Sequence, residues 1–536
     1  MNRRGICIFV VLVLVWVIPG TVAAQDTLEE ISFSVEHFEV VGDNPLGDRA
    51  DEILAPFAGE QYGLEGLSAA RDALEQAIIN AGYNFHRVSL PPQNLFEGKV
   101  TFKVSRFSIG NISVEGNEHF DDENIIHSVP ELKSGETPNT RELSRSLKLA
   151  NEHASKSTVL RFKEGEEADN IDAVLTVEDR NPQVFFISID NTGVTDSDTP
   201  FRTTLGYQHG NLFNRDHALT ATLTTAPEDV DTTTQLGLNY HIPMYRHGGS
   251  VDVLFSKSNS AGTTGGDTGG GQAPGTGGGQ SADITGKGTV FGFFYNRPML
   301  TDGSFNHEWS VGVQHKIFDN DTRFGLGILN EYEVLSIPLE LRYSFKRQVP
   351  GSSFFGSVSL LQEVGDDDFQ YNRDRPEAES AWTQLRYRVS YDILFAEEWL
   401  FHIRSIAQFT NSLLISGEQF GLGGVGTLRG FEERTITGDS GYQVTLELWM
   451  PPVAGDSLRF SGFIDLGHTE FNEGDIAGND GLAFDLASTG VSMFWSWRDS
   501  LSVALNFGYI IQGGGLDTSI NQDGDSKLHL SAVYRF

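Results

Sequence analysis

The last two-thirds of the chain alternate between apolar and polar residues in short segments separated by turns. In residues 501–509, the odd positions are Leu, Val, Leu, Phe and Tyr, whereas the even positions are Ser, Ala, Asn and Gly. Residues 217–224 and 458–466 follow the same period of two. This period is typical of strands that face lipid on one side and a polar lumen on the other.

A soluble β-sandwich would also alternate, but the predicted connections are short on one side and long and polar on the other. That asymmetry is expected of outer-membrane barrels, and a closed barrel leaves no unpaired strand edge in lipid. Residues 183–536 are therefore predicted to form a transmembrane β-barrel of about sixteen antiparallel strands.

Residues 31–179 have a different pattern, which occurs twice. Two similar strand segments, "FEVVGDN" (38–44) and "ISVEGNE" (112–118), start 74 residues apart. Each is followed by a helical period and then by two further strands, and Asn139 is a predicted N-cap of the second module's helix. The repeat predicts two α+β modules ahead of the barrel, each with the order strand, helix, helix, strand, strand.

The first 24 residues have the layout of a secretory signal peptide, with two Arg, an apolar stretch and small residues that end at Ala24. An N-terminal membrane anchor is the alternative, but the apolar stretch falls short of the roughly 20 residues that span a bilayer. Cys7, the only cysteine, lies in this segment, so the exported chain is expected to have no disulfide or Cys–metal site.

Composition argues against several classes of function. The 73 acidic residues outnumber the 38 basic ones and give a net charge of −35, which disfavours a nucleic-acid partner. No later run of apolar residues is long enough to predict a transmembrane helix. The sequence contains no nucleophile elbow, zinc signature or paired-carboxylate motif, so no catalytic, metal-binding or cofactor-binding role is expected. The Gly-rich tract 260–288 lacks phosphate-loop spacing, and residues 521–525 lack the Glu of a calcium loop. Both segments are predicted to be outside loops.

The junction between the two modules contains a motif. Six residues fill the pattern PPQ-[DN]-L-x-x-G: Pro91, Pro92, Gln93, Asn94, Leu95 and Gly98. This stretch resembles the first POTRA module of two-partner secretion transporters of the TpsB, haemolysin-activator type. The resemblance implies a POTRA module over 31–105, a second over 106–179 and a barrel over 183–536; an unrelated periplasmic α+β domain is the alternative.

Two further motifs lie in the barrel segment. Leu428, Arg429, Gly430 and Phe431 fill the pattern [VL]-R-G-[YF] at the tip of the sixth long loop. Three residues two strands away fill F-x-D-x-G: Phe463, Asp465 and Gly467. The resemblance implies that the loop folds into the lumen and that Arg429 pairs with Asp465, since a guanidinium binds a carboxylate through two parallel hydrogen bonds. The alternative is a surface Arg in a solvated loop, where ion pairs contribute little.

The resemblance implies a function in the bacterial outer membrane, with the modules in the periplasm. They would capture one unfolded secreted partner, a large haemolysin- or adhesin-like β-helical protein, and the barrel would conduct it outward through the lipid bilayer. The terminal Phe536 resembles the usual ending of outer-membrane barrels, which implies handling by the barrel assembly machinery. The alternatives are an assembly factor that inserts other barrels, which shares the Arg loop but usually has more modules, and a passive porin or receptor.

Overall fold

The computed structural model describes most of the chain, and the predicted signal peptide and most of the Gly-rich tract lie outside the described residues. The described residues are 32–536 without 168, 194–198, 231–232, 260–262, 265–283, 286, 300–303, 325–327, 397, 456, 473–480, 499 and 516–520. They divide into two compact units, one ending at Ser105 and the other containing 82–85 and 106–536.

The first unit is a small α+β module. Its elements are β1 (Ser32–Val35), β2 (His37–Gly42), α1 (Arg49–Leu54), β3 (Gly59–Tyr62), α2 (Glu65–Asn80), β4 (His86–Ser89) and β5 (Lys99–Arg106). Strands β2, β5 and β4 form a sheet in that order, with β2 parallel to β5. Helix α2 buries Leu67, Leu74 and Ile78, which recur at helical spacing. The predicted order of elements is present, with an additional antiparallel pair of β1 and β3.

The second unit begins with another module of the same order. Its elements are β6 (Ser108–Glu115), α3 (Asp122–His127), α4 (Thr140–Asn151), β7 (Lys156–Glu164) and β8 (Asn170–Asp179). The sheet order is β6-β8-β7. Helix α4 begins where its sequence predicts, because the side chain of Asn139 accepts hydrogen bonds from the N–H groups of Arg141 and Glu142.

The rest of the second unit is a closed antiparallel barrel. The barrel strands are β9 (Gln183–Asp190), β10 (Arg202–Leu212), β11 (His217–Thr225), β12 (Thr234–Met244), β13 (Gly249–Ser258), β16 (Gly288–Met299), β17 (Phe305–Phe324), β18 (Ile328–Ser336), β19 (Pro338–Val349), β20 (Ser352–Glu363), β21 (Thr383–Phe395), β22 (Trp399–Phe409), β25 (Ser440–Trp449), β26 (Leu458–Glu470), β27 (Ala483–Trp497), β28 (Leu501–Gly513) and β29 (Ser526–Arg535). The connections between them contain further short elements: β14 (Thr263–Thr264), β15 (Ile284–Thr285), helix α5 (Asp368–Asp374), β23 (Phe420–Leu422) and β24 (Ile436–Gly438). Strands β18 and β19 are two parts of one barrel strand, since both pair with β17. The barrel therefore has sixteen strands, as the sequence predicts, and β9 closes it against β29.

The alternating pattern sorts side chains between the two faces of the barrel wall. On β26, Phe460, Ile464 and Leu466 point outward and are exposed, whereas Ser461 and Asp465 are buried on the lumen side. The outward apolar surface fits lipid and the inward polar surface fits water. No helix among the described residues is long and apolar enough to cross a membrane.

This arrangement predicts that the same substitution is destabilising on the outward face of β13 and tolerated on its inward face. Val253 alternates with the buried inward residue Asp252, so it faces outward, and Ser256 faces inward. We expect Val253→Lys to cost about 2–4 kcal/mol of barrel stability near the bilayer midplane, and to lower the heat-modifiable fraction in the outer membrane. Ser256→Lys is the control and should leave that fraction unchanged. Equal effects of both substitutions would contradict the assignment of faces.

Candidate functional site: a loop latched inside the barrel

The sixth long loop connects β22 to β25 and spans residues 410–439; it is called L6 below. Its short strands β23 and β24 pair with each other and form a hairpin. Residues 426–434, which contain the loop motif, follow β23, and side-chain and backbone hydrogen bonds hold them to strands β25, β26 and β29 of the barrel wall. L6 therefore lies inside the lumen.

Arg429 and Asp465 form a bidentate ion pair. The Arg429 Nε donates to Asp465 Oδ2 over 2.9 Å, and Nη2 donates to Oδ1 over 2.9 Å. The backbone N–H of Arg429 adds a third hydrogen bond to Oδ2, at 3.1 Å. Because side chain and backbone bind the same carboxylate, Asp465 fixes both the guanidinium and the loop that carries it.

A second carboxylate, which sequence reasoning missed, completes the pair. Arg429 Nη1 donates to Glu447 Oε1 over 2.9 Å, and Ser461 Oγ donates to the same oxygen over 2.8 Å. The guanidinium also lies 3.4 Å from the ring centroid of Phe463, which gives the first residue of the F-x-D-x-G motif a cation–π contact. Glu447 and Thr445 both face inward from β25, so the alternation of side chains along this strand is the only sequence feature that could have indicated Glu447.

Electrostatics keep this site charged although it is buried. Burial alone would lower the pKa of Arg429, but the hydrogen bonds and charges of Asp465 and Glu447 outweigh burial and raise that pKa. The guanidinium is nearly covered, and the Asp465 side chain is fully covered. Removing one partner would leave an uncompensated charge in a desolvated place, which is the costly way to break such a pair.

Glycines allow the loop tip to approach the wall. Gly430 has a φ of +99°, and a Cβ built on Gly508 of β28 would lie 2.4 Å from the Gly430 nitrogen. A Cβ on Gly467 would lie 2.8 Å from a methyl carbon of Leu428. The third residue of F-x-D-x-G therefore makes room for the first residue of the loop motif.

Leu428 and Phe431 anchor the tip by apolar packing. Both are fully buried, in a cluster with Leu422 of the L6 hairpin, Leu486 of β27 and Ile510 of β28. The Gly430 N–H donates to His529 Nε2 on β29 at 3.0 Å. L6 is thus held both by the charge of Arg429 and by the apolar side chains of Leu428 and Phe431.

The root of L6 has a second Arg–Asp pair. Arg375, which follows α5, donates from Nη1 and Nη2 to the two oxygens of Asp439, at 2.5 and 3.0 Å. Asp439 also accepts the N–H of Leu414 at the other end of L6. Glu418 contacts Lys316 of β17 at 2.8 Å and Arg386 of β21 at 3.3 Å. L6 is therefore tied to several strands around the lumen.

The junction motif has a local structural role in the first module. Pro91 and Pro92 follow β4 and have no N–H to pair with the neighbouring strand. Gln93 replaces the missing backbone pairing, because its amide donates to the Thr101 carbonyl over 2.8 Å and accepts the Thr101 N–H over 2.7 Å. The motif thus extends the edge of the sheet beyond β4.

The last residues of the motif turn the chain into β5. The Asn94 side chain caps a short 3-10 helix over Leu95–Glu97, and Gly98 has a φ of +72°. The Gly98 carbonyl accepts the N–H groups of Glu36 and His37. Leu95, in contrast, is only partly buried.

The terminal Phe536 lies next to the seam of the barrel. Its backbone exchanges hydrogen bonds with Phe185 of the first barrel strand, and the two rings stack with centroids 6.0 Å apart. Its ring is exposed on the outward face. Within the described ranges, no cluster of His, Cys, Asp or Glu could hold a metal ion.

The close contact between Gly430 and Gly508 allows the position of L6 to be tested while Arg429 and Asp465 stay in place. We expect Gly508→Ala to displace the L6 tip, since the new methyl would overlap the tip backbone. L6 should then become sensitive to protease, and the channel current in planar bilayers should rise. Gly462→Ala on β26 is the control, because its Cβ has nothing closer than 3.9 Å. A tip that stays protected in Gly508→Ala would contradict the packing described.

Comparison with known proteins agrees with this architecture. Residues 328–493 match the haemolysin secretion/activation protein family ShlB/FhaC/HecB, and residues 33–106 match the ShlB-type POTRA domain. The heme/hemopexin transporter protein HuxB of Haemophilus influenzae (strain 86-028NP) is 19% identical over 532 residues, covering 95% of this chain and 88% of that protein. The outer membrane transporter CdiB of Escherichia coli O6:K15:H31 is 24% identical over 437 residues, covering 78% and 68%.

Among solved structures, CdiB from Escherichia coli has the same fold, with a TM-score of 0.66 and 16% identity over 96% of this chain and 93% of that one. The matched barrel segment includes all of L6 and both lumen motifs, and the matched POTRA segment includes the junction motif. Over these matched segments and in its fold the chain is therefore similar to the two-partner secretion transporters of the TpsB type, and it is a transporter of the bacterial outer membrane that exports a secreted partner protein and has its POTRA modules in the periplasm.

Proposed function

We propose that the modules over 31–105 and 106–179 capture an unfolded partner in the periplasm, that the barrel over 183–536 conducts it, and that the Arg429–Asp465 pair is the latch that holds L6 in a transport-competent position. The client we propose is a large haemolysin- or adhesin-like β-helical protein, taken up before it folds. The barrel assembly machinery would insert the transporter, with Phe536 as its terminal signal.

The modules have edge strands that suit an extended client. Strands β2 and β4 are the edges of the first module's sheet, and β6 and β7 are the edges of the second. An extended chain can add to such an edge by backbone hydrogen bonds, which do not depend on sequence. An unfolded client that forms strands after export is therefore suited to this mode of capture.

The covered position of Arg429 carries the proposal for L6. A solvated ion pair contributes little, but Arg429 is held by two carboxylates and a ring inside the lumen. A buried pair of this kind fixes one geometry of the loop, because each partner is costly to leave alone. The assembly of sixteen paired strands does not depend on it, so the latch can serve transport without determining the barrel.

The latch is tested by removing its partners. We expect Arg429→Ala and Asp465→Ala each to give normal insertion but severely reduced export, because breaking the pair costs about 3–5 kcal/mol. Export is measured as client in the medium, and insertion by heat modifiability. Arg498→Ala, at an exposed Arg in a short turn, is the matched control and should export normally.

The double variant tests whether Arg429 and Asp465 act as one unit or as two independent contacts. If the residues act as a unit, Arg429→Ala combined with Asp465→Ala should be little worse than either alone. Fully additive defects, or export at the wild-type level by Arg429→Ala, would contradict the latch and leave Arg429 as an ordinary packing residue.

The capture role of the first module is tested by deletion. Residues 32–105 contain a core of their own, so we expect a chain without 31–105 to insert a folded barrel and to export no client. Unimpaired export would exclude the first module from capture. A general loss of other outer-membrane barrels, with export of the one client retained, would instead favour the assembly-factor alternative.

A further inference from the structure

The second module is joined to the barrel by a buried ion pair. Lys156 lies at the start of β7, and Asp216 lies in residues 213–216, the first periplasmic turn. The Lys156 Nζ is 2.6 Å from Asp216 Oδ2, and the two side chains are 0% and 1% exposed. Both charges are thus fully removed from water, which is unusual for Lys and Asp and requires strong compensation.

Two neutral side chains supply that compensation. Asn124 of α3 accepts from Lys156 Nζ at 2.8 Å and donates to Asp216 Oδ1 at 2.9 Å. Tyr245, from the second periplasmic turn, donates to Asp216 Oδ2 at 2.5 Å. Two residues of the module and two turns of the barrel therefore meet in one network, which we call the clamp: Lys156, Asn124, Asp216 and Tyr245.

The first turn is strained where it carries Asp216. Phe213, Asn214 and Asp216 have φ values of 59°, 55° and 60°. Asn and Asp tolerate this left-handed region, but a Phe there costs free energy, and such a conformation persists only where its surroundings impose it. The module supplies part of those surroundings, since Asn214 donates to both oxygens of Asp121 at 2.6 and 2.7 Å.

Apolar and backbone contacts extend the interface to neighbouring strands. The Tyr245 ring packs in a buried cluster with Leu149 and Ala150 of α4. His153 contacts the carbonyl of Gly210 at 2.6 Å. Lys148 reaches the carbonyl of Met299, at the end of β16, at 3.4 Å. The module therefore lies against the periplasmic ends of strands from β10 to β16.

The charges of the clamp depend on each other. Burial lowers the pKa of Lys156, and Asp216 opposes that shift. Burial would raise the pKa of Asp216, but Lys156 outweighs it and the pKa falls. Two further titratable groups of the module face the pair and contribute to these pKa shifts: His153, which follows α4, and Asp179, at the end of β8. Loss of either charge would leave the other desolvated without its main partner.

We propose that Lys156 and Asp216 are positioning residues that keep the second module docked beneath the β10–β16 side of the pore throughout transport. The module then acts as a fixed guide that directs the client into the lumen. The charge pair selects one docked orientation, and the strained turn is held ready for it. Movement during transport is then left to the client.

The first test removes the charges singly and together. Lys156→Met and Asp216→Asn should each reduce export on the order of tenfold, because each leaves one buried charge without its partner. The double variant Lys156→Met/Asp216→Asn removes both charges and should recover most of the export. Insertion is followed by heat modifiability, so that a defect in transport is distinguished from a defect in assembly. Export at the wild-type level by both single variants would overturn the proposal.

The second test fixes the docked state without touching the clamp. Cys7 is the only cysteine of the chain and lies in the predicted signal peptide, so Lys148→Cys and Met299→Cys can be joined selectively by a short, cleavable thiol crosslinker. We expect the crosslinked transporter to export as well as the same protein without crosslinker. In Lys156→Met, the crosslink should restore export, which a merely structural role of the charge would not produce.

The crosslink experiment also has an outcome that would contradict the proposal that the second module is a fixed guide. If transport requires the second module to swing away, the crosslinked wild-type chain should stop exporting and recover when the crosslinker is cleaved. That outcome would overturn the proposal while leaving the export function itself intact, because the uncrosslinked protein serves as the reference. The crosslink test does not depend on how well Asp216→Asn folds.

Discussion

The bidentate pair of Arg429 and Asp465 is the interaction on which the arrangement of the lumen depends. A sixteen-strand barrel without a filling loop would enclose a wide polar channel. The pair holds L6 inside that channel by side chain and backbone together, and Glu447 adds a second carboxylate. Glycines at the contact let the backbones approach, so the charge and the close packing require each other.

The same physical device appears at the other end of the barrel. Lys156 and Asp216 are buried between the second module and a strained turn, as Arg429 and Asp465 are buried between L6 and the wall. Buried pairs are poor sources of net stability but strong sources of specificity, since a misplaced partner leaves a bare charge. Both pairs thus favour one relative position of two parts that other contacts would hold less strictly.

The elements that could be predicted from the sequence are those whose residue pattern repeats over a long segment. The alternating strands and the two modules were predictable from periodicity, and the pairing of Arg429 with Asp465 was implied by the family resemblance that two ordered motifs carry. Helix α5 and the strands β1 and β3 are too short to show a period. Glu447 could not be recognised, because a single Glu on an inward face resembles any lumen residue. Asp216 was hidden in a polar turn, since only the folded chain brings it to Lys156.

The measurement that tests the central claim most directly is the distance from the L6 tip to the barrel wall. Spin labels can be attached at Gly426→Cys, whose Cβ has open space, and at Gln348→Cys, an exposed position at the end of β19. A latched loop predicts one narrow distance distribution in the otherwise unmodified protein and a broad one after Arg429→Ala. Equally narrow distributions with the same mean in both proteins would contradict the claim that this pair holds L6.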